Sequence, residues 1–316
     1  MTRIPEHLDF DGLRPPCAGL GSAHAEWREQ LRSFVDTHIA PSIEDWNAAA
    51  TFPDELYVQA AKAGLMGFGF PAELGGWQDE PDLYHRILFA EEFHRLGSGV
   101  VFADLATPWI ALPPVVNHGS ADLQEIVTRP VLAGNKRIAF AITEPGGGSD
   151  VARMTTTAEQ SGERYRVNGT KTLISGALRA DYLLIVARTG EAGLGGLSLL
   201  LVDADSDGIH MEPVPGLQWY SASNGTISFE DVDVPADRLL GPEGSAFRSL
   251  AGQFNIERFS GVGATLAMAR VATADAIAWA RERETFGERL IDHQRIRHVL
   301  VDMIRAINTG YAYLDQ

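Results

Sequence analysis

A glycine-rich segment between Thr143 and Asp150 has residue types that could hold a ligand. Three consecutive glycines, Gly146–Gly148, leave their backbone N–H groups unobstructed, so these donors can approach the polar edge of a bound molecule. Ser149 adds a hydroxyl group that can donate and accept hydrogen bonds. The alternative interpretation is a glycine-rich hairpin in which Ser149 only caps the backbone.

A second segment with chemical potential lies at Arg281–Glu284, where basic and acidic residues alternate. The guanidinium group of Arg283 is planar and stays charged, which suits it to a phosphate group. The alternative is a solvated helix end, because charges that alternate in sign are typical of exposed helix surfaces. The residues alone leave both interpretations open.

Helical spacing of apolar residues surrounds these segments, from about residue 22 to 130 and again from about 245 to the end of the sequence. Ser22 is expected to cap the first helix. A continuous helix of close to 40 residues is predicted to end near Arg283. We interpret several ionisable residues on the first group of helices as solvated, namely Asp36, Glu91, Glu92 and His94.

The period changes toward two between about residues 137 and 240, which predicts strands. Asn168-Gly169 predicts a type I′ hairpin between two of them. Continuous apolar runs at Asp181–Ala187 and Gly196–Val202 have strand length, and Gly225–Asp231 alternates as a last strand. Short strands at this spacing, with no helices between them, predict an antiparallel barrel or sandwich.

The predicted fold class is therefore α+β, with three parts. A helical domain is expected at residues 1–134, a β domain at 135–243 and a second helical domain at 244–316. Helices as long as those of the last part normally need partners, so packing in a bundle or between subunits is expected.

Composition excludes several classes of protein. With 26 basic and 42 acidic residues, the net charge of −16 argues against binding to nucleic acid. The sequence shows no run of 18 apolar residues and no secretion signal at its start, so we predict a soluble, cytoplasmic protein without a membrane span. A single cysteine, Cys17, excludes an internal disulfide bond and a cysteine-based zinc site, and we expect no metal.

Four blocks of sequence, in matching order, resemble the acyl-CoA dehydrogenase family of flavoproteins. They are Ala139–Asp150, Tyr165–Gly176, Phe229–Leu240 and Arg281–Gly287. The resemblance covers roughly residues 22–316 and implies the family's architecture: an N-terminal helical domain, a middle β domain and a C-terminal helical bundle, here incomplete.

The resemblance also implies FAD as the cofactor. The serine matching Ser149 touches both the flavin and the thioester substrate, and Ser175 takes the position of a hydroxyl donor near flavin N5. Many relatives have tryptophan where this chain has Leu173, and leucine cannot stack on the flavin ring in the same way. Arg283, Phe286 and Gln294 match positions that reach a neighbouring subunit's FAD. The matched cofactor positions are Phe140, Ile142, Thr143, Ser149, Leu173, Ser175, Arg283, Phe286 and Gln294.

The implied reaction is α,β-dehydrogenation of an acyl-CoA to the trans-2-enoyl-CoA, with electrons passed to an electron-transferring flavoprotein by a homodimer or homotetramer. Two other possibilities stay open. One is a different flavin chemistry on the same scaffold: an oxidase, a monooxygenase or a dehydrogenase of carrier-protein thioesters. The other is a non-catalytic family member or fragment.

The reaction needs a carboxylate beside the substrate's α-carbon, in an environment that raises its pKa. Most relatives take this glutamate from a late helix that would follow Gln316, so the chain is expected to be short at its C-terminus. Glu257 matches the position that supplies the base in a minority of the family. The alternative is a structural charged pair with Arg258, which itself resembles a substrate-binding arginine.

Overall fold

A computed structural model describes residues 8–77, 81–216 and 223–316, and it confirms the predicted α+β class. The helices are α1 (Ser22–Phe34), α2 (Ile43–Ala49), α3 (Glu55–Lys62), α4 (Leu83–His94), α5 (Phe102–Ala106), α6 (Pro108–His118), α7 (Ala121–Leu123), α8 (Arg129–Leu132), α9 (Ala246–Glu282) and α10 (Gln294–Leu314). The strands are β1 (Ile138–Ala141), β2 (Thr157–Ser161), β3 (Arg164–Ile174), β4 (Tyr182–Arg188), β5 (Leu197–Asp203), β6 (Ile209–Pro213), β7 (Gly225–Pro235), β8 (Leu239–Leu240), β9 (Glu284–Thr285) and β10 (Glu288–Arg289).

The chain divides into two compact units. The first contains the described residues of 1–41, 82–98 and 256–316, and the second contains those of 42–81 and 99–255. The domain boundaries predicted at residues 134 and 243 stay predictions. Within the described parts of the chain, no helix has both the length and the apolar character needed to cross a membrane.

The second unit is built on one sheet, in which the described strands follow the order β6-β7-β3-β2-β4-β5-β8. Most neighbours are antiparallel, but β1 lies parallel to β4 over Ile138–Ala141, and Thr157 of β2 pairs with Arg188 in the same sense. The apolar runs predicted as strands become β4 and β5, which are buried almost throughout. Their continuous apolar character follows from burial on both faces.

The hairpin predicted at Asn168-Gly169 is wrong. Strand β3 continues through both residues, and the turn that joins it to β2 contains Gly162 instead. Asn168 pairs its side-chain amide with Asp231, and the register against β7 shifts here, so the two residues form a bulge. Gly169 is required because a Cβ atom there would lie 2.6 Å from the Oγ1 atom of Thr156.

The cap predicted at Ser22 is also wrong, by one residue. Helix α1 begins at Ser22, and Gly21 is its N-cap. The backbone N–H of Gly21 donates to Nδ1 of His24 at 3.0 Å, so a side chain from the first turn of the helix accepts the hydrogen bond of the N-cap residue.

Buried charges link the helices of the first unit. Glu91 and Glu92 of α4 are each only 1% exposed, so the prediction that they are solvated is wrong. Glu91 accepts hydrogen bonds from Nε of Arg14 at 3.0 Å and from Nη1 of Arg270 at 3.2 Å. Glu92 accepts two from Arg32. Each buried carboxylate is compensated by arginine, as burial of a charge requires.

His94, at the end of α4, was also predicted to be solvated, and it is buried as well. Burial lowers its pKa, although a hydrogen bond with the carbonyl oxygen of Ala90, 2.8 Å from Nδ1, favours the protonated form. His94 therefore belongs to the interior of the first unit.

Candidate active site

The first predicted flavin-lining segment begins on β1. Ala139 and Ala141 point into the core and are fully buried, whereas Phe140 between them is half-buried on the other face. Ile142 and Thr143 continue this half-buried surface beyond the strand. Strand alternation therefore places Phe140 on the face opposite Ala139 and Ala141, and the half-buried Ile142 and Thr143 follow directly after the strand.

The glycine-rich segment leaves this strand through a tight loop. Glu144 and Gly147 exchange two backbone hydrogen bonds of 3.1 Å each. The glycines and Ser149 are exposed, and a Cβ atom built on Gly146 would have no atom within 4 Å. The open backbone expected from the sequence is present, and the Ser149 hydroxyl stands on the same exposed loop.

The second predicted flavin-lining segment is the end of β3. Leu173 has a φ of +58°, and the register against β7 shifts between Lys171 and Ile174. This bulge leaves Leu173 49% exposed while Ile174 stays in the core. Ser175 follows and is half-buried. A bulge beside a functional surface commonly re-aims a side chain in this way.

A backbone hydrogen bond joins the two segments: the N–H of Thr172 donates to the carbonyl oxygen of Thr143 at 2.9 Å. The structure therefore brings Thr143 next to the chain that carries Leu173 and Ser175. These residues and the glycine-rich loop belong to the second compact unit.

A buried ion pair lies directly below this junction. Nζ of Lys171 is 3.0 Å from Oε1 of Glu144, and the side chains are 0% and 7% exposed. Burial opposes ionisation of Glu144, but hydrogen bonds from Thr155 and Thr156 and the charge of Lys171 lower its pKa to about 2. Burial lowers the pKa of Lys171 to about 8, against the attraction of Glu144. Sequence reasoning did not single out this pair; its signal was a lysine at an inward-facing position of an alternating strand.

Glu257 and Arg258 lie on α9, in the part of that helix that belongs to the first unit. Both residues are exposed. Desolvation by surrounding protein atoms nevertheless raises the pKa of the Glu257 carboxyl group, against the attraction of Arg258. A raised pKa makes a carboxylate a stronger base, so it suits a residue that accepts a proton from a substrate.

Arg283 and Phe286 belong to the connection between α9 and α10, and Gln294 is the first residue of α10. Phe286 and Gly287 have φ values of +54° and +79°, as the two-residue turn between β9 and β10 requires. The N–H of Leu290 donates to the carbonyl oxygen of Arg283 at 2.7 Å and closes the hairpin. Phe286 is 99% exposed at its tip, and Arg283 and Gln294 are exposed as well.

One group of described residues has the composition and spacing of a metal site: His24, Asp82 and His85. Asp82 lies 2.8 Å from Nε2 of His24 and 2.7 Å from Nδ1 of His85. Because Nδ1 of His24 accepts the N–H of Gly21, the neutral ring carries its proton on Nε2, facing Asp82. A metal ion would need that nitrogen without its proton, so the contacts favour a hydrogen-bonded clamp between α1 and α4.

Comparison with known proteins agrees with this architecture. Domains described for the acyl-CoA dehydrogenase family match the chain in order: the N-terminal domain at residues 21–135, the middle domain at 139–232 and the C-terminal domain at 244–316. A subunit of the caffeyl-CoA reductase–Etf complex of Acetobacterium woodii is 34% identical, over 87% of this chain and 73% of the relative.

Solved structures give the same result. A probable acyl-CoA dehydrogenase from Mycobacterium abscessus has a TM-score of 0.87 and 39% identity, over 93% of this chain and 78% of that structure. A glutaryl-CoA dehydrogenase from Mycobacterium smegmatis in complex with FADH2 has a TM-score of 0.83 and 25% identity, over 94% and 75%. The chain has helical first and last parts and a sheet in its middle part, as these structures do. This order of elements and this similarity define an oxidoreductase of the dehydrogenase class. The chain belongs to the acyl-CoA dehydrogenase family.

Proposed function

We propose that this protein is an FAD-dependent acyl-CoA dehydrogenase that converts an acyl-CoA to the trans-2-enoyl-CoA and passes the electrons to an electron-transferring flavoprotein. The observation that carries the proposal is the junction between Thr143 and Thr172, which aligns the two predicted flavin-lining segments beside an exposed glycine-rich backbone. The similarity to a structure that holds FADH2 and to a subunit of an Etf complex supports it.

The residues of the second unit fit an isoalloxazine ring. Phe140, Ile142 and Leu173 offer half-buried or exposed apolar surface, and the half-buried Thr143 and Ser175 on the same two segments carry hydroxyl groups. A hydroxyl donor near the flavin stabilises the negative charge that arrives on reduction. When bound beside these residues, FAD would supply the acceptor for the hydride from the β-carbon of the substrate.

Glu257 is the proposed base and Arg258 a proposed substrate contact. Hydrogen bonding to the thioester carbonyl acidifies the α-proton, which Glu257 accepts as the β-hydrogen leaves as hydride. The desolvation that raises the pKa of Glu257 favours this proton transfer. Ser149, on the exposed loop, is proposed to contact both the thioester and the flavin.

Assembly is part of the proposal. An aromatic side chain as exposed as Phe286, in the same connection as an exposed Arg283, fits a surface that is covered by another copy of the chain. We expect a homodimer or homotetramer in which Arg283, Phe286 and Gln294 hold the adenosine and pyrophosphate part of a neighbour's FAD. A cytoplasmic location completes the proposal.

The test is purification with added FAD, followed by anaerobic addition of acyl-CoAs of graded length and branching. Loss of the flavin's visible absorbance together with formation of enoyl-CoA supports the function. A folded protein that retains no flavin in excess FAD contradicts it and favours a non-catalytic member.

A second candidate function is favoured by one observation, the aliphatic and half-exposed Leu173 where many relatives have tryptophan. Leucine covers less of the ring, so oxygen could reach a reduced flavin more easily. Hydrogen peroxide formed in stoichiometric yield during aerobic turnover would favour an oxidase. Activity only with a carrier-protein thioester would favour the carrier-protein dehydrogenase.

A further inference from the structure

The ammonium group of Lys171 is fully engaged although it lies in the interior of the second unit. Its Nζ donates to the carbonyl oxygen of Ile142 at 3.1 Å and to Oε1 of Glu144 at 3.0 Å, and it lies 3.1 Å from Sδ of Met154. These three partners account for its three hydrogens. Ile142 is one of the proposed flavin-lining residues, so the hydrogen bond from Lys171 fixes the backbone of that segment from the interior of the unit.

The carboxylate of Glu144 closes the base of the glycine-rich loop, residues 145–154. One oxygen accepts the N–H and the hydroxyl of Thr155, both at 2.7 Å. The other accepts the N–H of Thr156 at 2.9 Å as well as Lys171. Glu144 directly precedes the loop and Thr155 directly follows it, so a single side chain fixes both ends of the segment that carries Ser149.

The same pair reaches the second flavin-lining segment. Lys171 is followed directly by Thr172, whose N–H binds the carbonyl oxygen of Thr143, and then by Leu173. We propose that Lys171 and Glu144 are positioning residues that hold the Ser149 loop and the Leu173–Ser175 segment in one fixed arrangement and keep the charge behind the flavin site neutral. This inference rests on the proposed function of the site.

Removing one member of the pair changes the charge behind Ile142 and Thr143. In a Lys171→Met variant, Glu144 keeps its hydrogen bonds from Thr155 and Thr156, so it stays ionised and a net negative charge remains. In Glu144→Gln, Lys171 loses the anion that favours its charged form, so burial lowers the pKa of Lys171 further than in the parent and the lysine more readily becomes neutral. The double variant holds no charge here.

Charge and potential give the first test. At neutral pH, below the pKa of about 8 of Lys171, the parent pair is neutral. In FAD-loaded protein at this pH, without substrate, the flavin midpoint potential should become more negative in Lys171→Met, because a nearby negative charge disfavours the reduced flavin. Glu144→Gln removes a negative charge and should show no shift in that direction, and the double variant should stay close to the parent. A potential unchanged in Lys171→Met, or shifted as far in the double variant, would overturn the charge assignment.

Loop order gives the second test and needs no flavin. Hydrogen exchange of residues 145–154 in FAD-free protein should be faster than in the parent in Glu144→Gln, which weakens the hydrogen bonds at the ends of the loop, and in Lys171→Met, which removes the contact with Met154 inside it. The matched control is Lys136→Met, which removes an exposed lysine 2.7 Å from Asp181 in the same unit. Exchange that is unchanged in both variants would overturn the positioning role, whereas a parent protein that binds no FAD would overturn the proposed function alone.

Rate gives the third readout. Misplacement of reacting groups by about 1 Å can slow a reaction by about 10²-fold, and we expect a loss of that order in flavin reduction by acyl-CoA for Lys171→Met. The double variant should keep the slow rate while its potential recovers, because it restores neutrality but not the hydrogen bonds. Recovery of the rate together with the potential would show that charge alone acts and would refute the positioning role.

Discussion

Phe286→Ala tests the proposed assembly of this protein independently of its folding. The side chain is 99% exposed, so its removal should leave the free energy of unfolding of a single chain within about 0.5 kcal/mol. Alanine keeps a Cβ atom, so the left-handed conformation at this position is equally strained in both proteins. Burial of a phenylalanine side chain against a neighbour contributes about 1.5–3 kcal/mol.

A two-fold interface contains the contact twice, so the variant should lose about 3–6 kcal/mol of association free energy. That loss corresponds to a rise in the dissociation constant of about 10²–10⁴-fold. Sedimentation velocity over a dilution series measures it, and retention of FAD on gel filtration should fall in parallel. Phe286→Tyr keeps the ring and is the matched control. A monomeric parent that holds FAD tightly, or equal dissociation of parent and alanine variant, would refute the cross-subunit assignment.

Three further predictions concern the base and the buried charges. Glu257→Gln should slow flavin reduction by acyl-CoA by about 10²–10⁴-fold, measured by anaerobic stopped flow. Asp275→Asn, on the same helix, is the control. A change within about threefold in Glu257→Gln would show that Glu257 has a structural role and is not the base. Although burial opposes ionisation, hydrogen bonds hold the pKa of Glu144 at about 2, below its usual 4.5. The contribution of the ionised Glu144 to the free energy of unfolding is therefore complete above pH 4.5 and is lost as pH falls toward 2. The urea midpoints of the parent and of Glu144→Gln should converge over that range. A difference between the two midpoints that does not change with pH would contradict the lowered pKa of Glu144. Arg270→Met should lower the free energy of unfolding by about 3–5 kcal/mol, because it leaves the buried carboxylate of Glu91 undercompensated. The control, Arg305→Met at an exposed ion pair, should lower it by only about 0–1 kcal/mol. Equal urea midpoints for the two variants would show that the buried ion pairs of Glu91 add little stability.

The elements that the sequence predicted best are those whose formation depends on one property, the pattern of their apolar residues. The apolar runs of β4 and β5 could hardly be anything but buried strands, and the length of α9 followed from its apolar spacing. The Asn168-Gly169 turn failed because a favourable turn pair also suits a bulge, and only the contact with Asp231 and the crowding at Thr156 decide between them.

Charged side chains were harder to place. Glu91 and Glu92 were predicted to be solvated because carboxylates usually are, and the arginines that permit their burial, such as Arg14 and Arg270, are distant in sequence. The partnership of Lys171 with Glu144 was missed for the same reason.

Backbone details of the site depend on pairing as well. The left-handed conformation of Leu173 arises from a register shift against β7, which the local sequence does not encode. Motif resemblance could therefore suggest which residues face the flavin, but it could not reveal the bulge that exposes Leu173 or the ion pair behind the segment.

The most direct test of the central claim is an anaerobic titration of FAD-loaded protein with acyl-CoA, read by the flavin's visible absorbance and by product analysis. We expect the absorbance to fall as one equivalent of trans-2-enoyl-CoA forms, and to recover when an electron-transferring flavoprotein is added. A folded, FAD-loaded protein whose absorbance no acyl-CoA of any length or branching can change would contradict it.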